Sequence, residues 1–307
     1  MKIIFAGTPE FAVPSLQKLI DLGYEICAVY TQPDRPAGRG NKLHASPVKE
    51  LALKNNIPIF QPETLKNETE QQRLKELNAD LMVVVAYGMI LPQTVLDTPK
   101  HGCINVHGSL LPHWRGAAPI QRAIIAGDEK TGVTIMNICL KLDAGDMLHK
   151  EEYIIKPTDT SADVFLELAH LGAIGLEKVI PQIENGTVKA EVQDESLVTY
   201  AAKLQKAEAD IDWNDSAAVL VRKINGLNPW PVAQTLYQGQ VLRIWKAVDL
   251  NKRCNLAAGI ISAEEKHFDV ATGQGWLRLL EVQLPNAKRI SAEAFLNAHF
   301  ADGEQLG

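Results

Sequence analysis

The chain has 307 residues, of which 46% are hydrophobic and 22% are charged, and its formal net charge at pH 7 is −6. These proportions are typical of a globular protein, and the length favours two domains. The negative charge weighs mildly against a polyanion partner, and no apolar run approaches the ~20 residues that a membrane-spanning helix needs. No secretory signal opens the chain, so we expect a cytoplasmic protein.

The first half of the chain alternates short apolar runs with helical stretches. The apolar runs cover residues 2–7, 25–31, 81–86, 103–107 and 133–139, and helices are predicted at 47–55, 68–77 and 160–185. Continuous apolar strands separated by helices are typical of a parallel sheet covered on both faces. We therefore predict an α/β domain with a Rossmann-like, mostly parallel sheet over residues 1–189.

The pattern changes after Gly186. Residues 190–205 have little helical period and are predicted to form an extended linker. From residue 206 to 307 short strands alternate with glycine-containing turns, and one helix fits residues 216–225. This second pattern predicts a smaller β-barrel (OB-like) domain.

Two obvious kinds of cofactor site are not supported by the sequence. Cysteines stand at positions 27, 103, 139 and 254 without CxxC spacing or a histidine cluster, so we expect reduced thiols and no metal site. The turn after the first strand has Pro9 and Glu10 where a GxGxxG fingerprint requires glycines. A plain strand-to-helix turn is therefore favoured there over an NAD or FAD site.

Asn105 and His107 follow a buried strand and lie two residues apart, so their side chains point to the same side. Open α/β sheets bind ligands at the carboxyl ends of their strands. An amide can donate to a developing oxyanion and an imidazole can move a proton, a combination that suits acyl transfer. The alternative is a hydrogen-bonded pair that only forms a turn.

Asp143 follows the next β-branched run, in a tight Asp-Ala-Gly turn. A carboxylate beside an imidazole fixes the tautomer of the ring, so Asp143 is a candidate partner for His107. Asp146 competes for this role, although a turn residue is the favoured interpretation of Asp146.

Four segments around these residues carry a family resemblance. They are Asn105-Val-His107, Ser109-Leu-Leu-Pro112, Arg115-Gly-Ala-Ala-Pro119 and Asp143-Ala-Gly-Asp-Met147. Together they resemble the 10-formyltetrahydrofolate-dependent formyltransferases. The resemblance implies that Asn105, His107 and Asp143 are catalytic, that 10-formyltetrahydrofolate is the co-substrate and that no metal takes part.

Further segments resemble the members of that family that formylate the amino group of initiator methionyl-tRNA. They are Phe5-Ala-Gly-Thr-Pro-Glu-Phe-Ala-Val-Pro14, Gln32-Pro-Asp-Arg-Pro-Ala-Gly-Arg-Gly40, Asn228-Pro-Trp-Pro231 and Leu280-Glu-Val-Gln-Leu-Pro285. The resemblance runs nearly from end to end and implies a monomer. Three positions depart from the family pattern, namely His113, Ala144 and Asn286, and none of them removes a catalytic group.

The binding surfaces follow from the same resemblance. A pterin needs apolar walls with a few polar groups, which predicts folate contacts at Ser109, Leu110, Leu111, Pro112, Tyr87, Met89 and Ile90. The loop over residues 35–49 is basic and has no acid, which predicts tRNA contacts at Arg39 and Lys42, unless the loop is simply solvated. Residues 206–307 hold 11 Lys+Arg and 12 Asp+Glu, so tRNA binding there needs a local patch, predicted at Lys288 and Arg289.

Three other functions stay open on the sequence. A formyltransferase for a small amine, such as glycinamide ribonucleotide or an amino sugar, would keep the same three residues without needing the basic loop or the second domain. A folate hydrolase or dehydrogenase-like domain would release formate. A non-catalytic tRNA-binding module is disfavoured because Asn105, His107 and Asp143 are all present.

Overall fold

The computed structural model describes residues 1–37, 42–299 and 301–307. They form two compact units. The first unit comprises Met1–Pro119, Lys130–Tyr153 and Phe165–Ala201, and the second comprises Ile120–Glu129, Ile154–Val164 and Ala202–Gly307. Each unit therefore collects separate segments of the chain, whereas the sequence predicts two consecutive domains at 1–189 and 206–307.

The strands and helices are numbered in chain order. The strands are β1 (Lys2–Gly7), β2 (Glu25–Tyr30), β3 (Arg35–Ala37), β4 (Lys42–His44), β5 (Ile59–Phe60), β6 (Leu81–Val85), β7 (Cys103–His107), β8 (Arg115–Gly116), β9 (Lys130–Asn137), β10 (Met147–Ile154), β11 (Tyr200–Ala201), β12 (Ala233–Tyr237), β13 (Gln240–Asp249), β14 (Ile261–Ser262), β15 (Phe268–Ala271), β16 (Trp276–Gln283) and β17 (Ile290–Ser291). The helices are α1 (Val13–Asp21), α2 (Pro47–Lys54), α3 (Glu68–Glu76), α4 (Gln93–Leu96), α5 (Pro119–Ala126), α6 (Ser161–Glu184), α7 (Ala217–Gly226) and α8 (Ala292–Ala298). Within the described part of the chain, no helix is long and apolar enough to cross a membrane.

A seven-stranded sheet in the order β10-β9-β7-β6-β1-β2-β5 forms the centre of the first unit. The pairs β1–β2, β1–β6, β2–β5 and β6–β7 are parallel, whereas β7 and β9 are antiparallel. Every residue of β6 is buried, as its uninterrupted apolar run predicts. The predicted Rossmann-like, mostly parallel sheet is confirmed.

Local capping explains where the predicted helices begin. The Ser46 side chain accepts a hydrogen bond from the Lys49 backbone N–H at the start of α2, and Asn67 accepts one from Glu70 at the start of α3. Serine and asparagine are favoured at these positions because they satisfy backbone donors that the helix leaves free. The predicted helices at 47–55 and 68–77 are therefore present, each within one residue of the expected end.

A six-stranded antiparallel sheet forms the second unit, in the order β12-β13-β16-β15-β14 with β17 paired to β16. Its core includes stacked Phe268 and Phe295 rings, whose centroids are 5.5 Å apart, with Tyr237 edge-on to Phe295 at 5.2 Å. The Trp213 indole N–H donates to the buried Thr235 hydroxyl at 3.0 Å. This is the smaller antiparallel β unit that the glycine-punctuated short strands predict.

The expected linker at 190–205 divides between the two units after Ala201. The backbones of Glu191 and Met147 exchange two hydrogen bonds of 2.8 Å, and β11 pairs in parallel with β8 through Tyr200 and Arg115. Residues 191–201 are thus held to the first unit by strand-type pairing instead of running free through solvent. The short pairings explain why the sequence shows no extended strand pattern there.

Candidate active site

Asn105 and His107 lie at the carboxyl half of β7, between β6 and β9. Asn105 pairs with Val84 of β6 and Met136 of β9, and His107 pairs with Thr134 of β9. The His107 side chain is buried, whereas Asn105 is half-buried. Among the residues that the structure describes, none forms a hydrogen bond with the Asn105 amide.

The His107 ring is oriented by contacts at both nitrogens. Its Nε2 lies 3.0 Å from the Trp114 carbonyl oxygen, which can only accept, so Nε2 carries a proton. Its Nδ1 faces Oδ2 of Asp143 at 3.8 Å, which is longer than a hydrogen bond. When the His107 ring is neutral, Nδ1 and the Asp143 carboxylate are therefore two neighbouring proton acceptors.

The Asp143 carboxylate is held in the loop between β9 and β10. Its Oδ2 accepts a hydrogen bond of 2.8 Å from the Gly116 backbone N–H. Asp143 has a φ of 47°, in the left-handed region that aspartate tolerates better than most residues. Gly145 follows in the same turn, and a Cβ at that position would overlap the Asn137 carbonyl oxygen. The backbone of this loop therefore requires glycine at position 145, and aspartate is among the residues that tolerate the conformation at position 143.

The structure brings His107 and Asp143 together and places Asn105 two residues earlier on the same strand. Because β9 runs antiparallel to β7, Asp143 comes from a returning loop and not from the end of another parallel strand. Asp146 lies across the turn, where its backbone oxygen accepts from the Asn137 N–H at 2.9 Å. This placement matches a turn residue.

Residues 109–112 form a loop that β9 holds through Thr134. The Thr134 hydroxyl donates to the Ser109 carbonyl at 2.7 Å and accepts from the Leu111 N–H at 3.0 Å. Ser109 is fully buried and its hydroxyl donates to the His113 carbonyl at 2.7 Å, while the His113 side chain is exposed. Sequence reasoning missed Thr134, because a threonine in a β-branched run has no local signal of this contact.

The predicted folate contacts in this loop differ in what they expose. Leu111 is 1% exposed and packs with Met136 and Met147. Pro112 is buried as well, whereas Leu110 is half-buried. Of these three side chains, Leu110 is therefore the most accessible to a ligand.

The turn at residues 86–91 presents its residues in different ways. The Tyr87 side chain is buried in the core beneath the sheet, and this burial raises the pKa of its phenol. Met89 packs partly against the same core, whereas Ile90 is 74% exposed. The Gln32 side-chain amide donates to the Tyr87 and Gly88 carbonyls at 3.3 and 3.2 Å. The Tyr87 carbonyl also accepts a hydrogen bond of 3.1 Å from the Thr8 hydroxyl, so its side chain is buried and its carbonyl is already bonded.

The basic loop is a hairpin of β3 and β4. Arg39 lies outside the described residues, and Lys42 begins β4 opposite Ala37. At the base of the hairpin the Lys49 ammonium donates to Asp34 at 2.6 Å and to Gln61 at 2.7 Å. These hydrogen bonds from Lys49 and Gln61 hold the pKa of Asp34 below its usual value. Lys49 therefore anchors the hairpin.

Lys288 and Arg289 lie on the surface of the second unit, and both are exposed. The Arg289 guanidinium forms an ion pair with Glu281 and lies over the Trp245 ring, 4.9 Å from its centroid. The Trp245 indole N–H in turn donates to Gln283 at 3.0 Å. Arg289 is therefore partly engaged by its own unit.

Among the described residues, no three His, Cys, Asp or Glu side chains cluster as metal ligands would. All four cysteines are free thiols, and burial raises the pKa of Cys103 to about 12. What the site does offer is an amide donor, an imidazole and a carboxylate, at the ends of strands that carry apolar neighbours. These groups suit transfer of an acyl group to an amine.

Two family models match the chain: formyl transferase over residues 1–180, and formyl transferase, C-terminal domain, over residues 203–299. This chain belongs to the formyl transferase family. The predicted family membership is thereby confirmed. A methionyl-tRNA formyltransferase from Methylococcus capsulatus (strain Bath) is 55% identical over 307 residues, covering 100% of both chains.

Solved structures resemble this formyl transferase family member in fold. WlaRD, a sugar 3N-formyl transferase, has a TM-score of 0.70 at 20% identity, over 94% of this chain and 99% of its own. The N-formyltransferase from Helicobacter canadensis, in complex with folinic acid and dTDP-3-aminofucose, also has a TM-score of 0.70, at 18% identity, over 94% of this chain and 100% of its own. At these identities the likeness shows the fold alone.

Proposed function

We propose that this formyltransferase moves the formyl group of 10-formyltetrahydrofolate to the free α-amine of initiator methionyl-tRNA, giving N-formylmethionyl-tRNA for translation initiation. The observation that carries the proposal is the 55% identity, over the whole length of both chains, to a methionyl-tRNA formyltransferase. The site geometry supports the same chemistry, because it combines the Asn105 amide, which can donate a hydrogen bond to an oxyanion, with His107 and Asp143, which can accept a proton.

The residues around Asn105 fit a formylated folate. Met89 and Leu110 are half-buried and Ile90 is exposed, so together they offer apolar surface to a pterin. The Asn105 amide, which has no partner in the part of the chain that the structure describes, can bind the formyl oxygen. When bound, the folate supplies an electrophilic formyl carbon, and N10 is the leaving nitrogen.

Asn105 is proposed to stabilise the negative charge that develops on the formyl oxygen as the amine attacks. A fixed donor of this kind is typically worth ~3 kcal/mol of activation free energy. The barrier falls because the amide is already in place and does not have to reorganise during the reaction. No covalent bond to the enzyme is required.

Proton transfer is assigned to His107 and Asp143. Nδ1 of His107 and Oδ2 of Asp143 flank one space at a separation of 3.8 Å, where the attacking amine can give up its proton. Nε2 is occupied by the Trp114 carbonyl, which keeps Nδ1 directed at Asp143. His107 can then return the proton to the departing nitrogen, directly or through water.

The tRNA contacts are proposed at Arg39 and Lys42 of the basic segment 35–49 and at Lys288 and Arg289 of the second unit. Lys288 and Arg289 are exposed on a unit whose total charge is nearly balanced, so they would act as a local patch. The substrate occurs where translation takes place, which supports a cytoplasmic enzyme. A monomer is proposed because the family resemblance implies one.

The test is a formyl-transfer assay with 10-formyltetrahydrofolate and three acceptors: charged initiator tRNA, glycinamide ribonucleotide and an amino-sugar nucleotide. We expect N-formylmethionine on the tRNA and no product from the small amines. Transfer to a small amine in preference to the tRNA would overturn the proposed acceptor. Release of formate at the same rate without any acceptor would overturn the reaction itself.

A further inference from the structure

Two buried polar side chains, Arg115 and Gln193, take no part in the mechanism above. Arg115 is fully buried and Gln193 is 4% exposed. Burying a charge or an amide costs free energy unless hydrogen bonds replace those with water. The hydrogen bonds of Arg115 and Gln193 therefore indicate which part of the structure this buried pair positions.

Gln193 uses every hydrogen-bonding group of its carboxamide. Its Nε2 donates to the carbonyl of Asp143 at 2.8 Å and to that of Gly145 at 2.7 Å. Its Oε1 accepts from Nε and Nη2 of Arg115 at 3.0 and 2.8 Å. An amide has two N–H donors and two lone pairs, so all four are satisfied. The carbonyls can only accept and the guanidinium can only donate, which fixes the orientation of the amide.

Arg115 is itself held in place. Its Nη2 also donates to Glu195 at 2.9 Å, and its backbone N–H donates to the Thr199 carbonyl at 2.9 Å. Glu195 accepts from Lys141 as well, and these two cations hold the pKa of Glu195 below its usual value. Nη1 of Arg115 has no partner among residues 1–37, 42–299 and 301–307. Nε and Nη2 of the guanidinium both donate to Gln193, and Nη2 is shared with Glu195.

The network grips the turn that carries Asp143. The carboxylate of Asp143 is held by the N–H of Gly116, and its carbonyl is held by Gln193, which Arg115 orients. Both contacts lead back to the adjacent residues Arg115 and Gly116. A left-handed φ at a residue with a side chain costs ~1 kcal/mol, so the turn needs such outside support to keep one conformation.

We propose that Gln193 is a positioning residue for the transfer reaction. It fixes the turn of Asp143, Ala144 and Gly145 so that Oδ2 of Asp143 stays opposite Nδ1 of His107. Arg115 acts behind it by orienting the amide. This inference rests on the proposed function, because the position of Asp143 matters only if Asp143 takes part in transfer.

The test compares Gln193→Glu with Gln71→Glu. Glutamate keeps the volume of Gln193 and can still pair with Arg115, but its carboxylate cannot donate to the two carbonyls. Gln71 is the matched control, since its Nε2 also donates to a loop carbonyl of the first unit, that of Leu65 at 3.0 Å. We expect kcat to fall about 10- to 100-fold for Gln193→Glu with KM for both substrates unchanged, and to stay at the wild-type value for Gln71→Glu.

A double-mutant cycle separates positioning from general support of the fold. In an Asp143→Asn background, Gln193→Glu should cause little further loss, because it acts through a carboxylate that is no longer there. An equal loss in both backgrounds would overturn the inference. Gln193→Met, which removes all four hydrogen bonds without adding charge, repeats the cycle if the glutamate variant is poorly folded.

The two proposals fail in different ways. A wild-type chain that does not formylate methionyl-tRNA overturns the proposed function. An active wild-type enzyme whose Gln193→Glu variant keeps full kcat, like the Gln71→Glu control, overturns the positioning role alone. Thermal unfolding of each variant shows that a loss of kcat is not a loss of folded protein.

Discussion

The polar side chains near Asp143 form a buried hydrogen-bond network, whereas those near Arg289 form an exposed ion pair. In the first unit, Arg115 and Gln193 are buried and hydrogen-bonded to one another, and Gln193 donates to the turn of Asp143. In the second unit, Arg289 and Glu281 form an ion pair on the surface, with side chains 43% and 34% exposed. The same kinds of groups occur in both places, and burial separates them.

Burial decides what each contact contributes. Leaving a buried donor or acceptor without a partner costs ~1–3 kcal/mol, whereas an exposed ion pair contributes ~0–1 kcal/mol. A buried network therefore fixes a geometry, and an exposed cation remains able to exchange its partner for a phosphate. The first arrangement suits chemistry and the second suits binding.

The largest expected effect is at Asn105. Asn105→Ala removes the proposed oxyanion donor and should lower kcat by ~10²–10³-fold. Because none of the described residues bonds to this amide, the free energy of unfolding should hardly change. Steady-state formylation of initiator methionyl-tRNA and urea unfolding of the same preparation measure the two quantities. Wild-type kcat in the Asn105→Ala enzyme would remove Asn105 from the mechanism.

Glycine substitutions test the turn of Asp143 without touching a polar group. At Gly145 an added methyl would overlap the Asn137 carbonyl oxygen, so Gly145→Ala must move the turn and should lower kcat by ~10²-fold. Gly186→Ala is the control. Gly186 has a φ of +66°, and a Cβ added there would meet no neighbouring atom within 4 Å, so the substitution should cost ~1 kcal/mol of stability and leave kcat unchanged. Equal kcat values for the two variants would contradict the close fit of this loop.

A smaller effect is expected on the basic face. Lys288→Ala should raise KM for tRNA and leave kcat and the KM for folate unchanged, because it removes a proposed phosphate contact. The slope of log affinity against log salt should become shallower by ~0.9, the value for one lost contact on a duplex. Lys266→Ala is the control, an exposed lysine of the same unit that lies 3.7 Å from Glu293. An unchanged salt slope for Lys288→Ala would place the tRNA elsewhere.

The smallest effect concerns the surface ion pair. Glu281→Gln should change the free energy of unfolding by less than ~1 kcal/mol, since both side chains are partly solvated. Asp269→Asn provides the contrast, because Asp269 receives two hydrogen bonds from Arg278, at 2.6 and 2.8 Å, with side chains only 17% and 23% exposed. Urea titration of the Glu281→Gln and Asp269→Asn variants compares their free energies of unfolding. A larger loss for Glu281→Gln than for Asp269→Asn would undo the argument from burial.

The sequence predicts the strands and helix starts well because their causes are local. The β-branched run of β6 and the capping side chains of Ser46 and Asn67 act within a few residues of themselves. Strand direction is different, since an apolar run reads the same in either direction. For that reason the antiparallel course of β9 could not be predicted, nor the return of its loop toward His107.

In the candidate site too, residues with a local sequence signal could be predicted and residues that act on distant segments could not. Asn105 and His107 could be paired from their spacing on one strand, and Asp143 was a candidate partner from its turn after the next β-branched run, where Asp146 competed with it. Thr134 and Gln193 were missed because they act 25 and 50 residues away in sequence, where spacing carries no information. The burial of the Tyr87 side chain could not be predicted either, because an apolar turn has the same sequence pattern whether it faces a ligand or the core.

Residues 191–201 have a practical consequence for any shortened form of the protein. A fragment cut at the apparent end of the α/β pattern, after residue 189, would lose the amide behind Asp143 and the strand that covers β8. It would expose the backbone of β8 as an open edge, which invites aggregation. A catalytic fragment must therefore extend to Ala201. Residues 191–201, which the sequence predicts as part of a linker, belong structurally to the first unit.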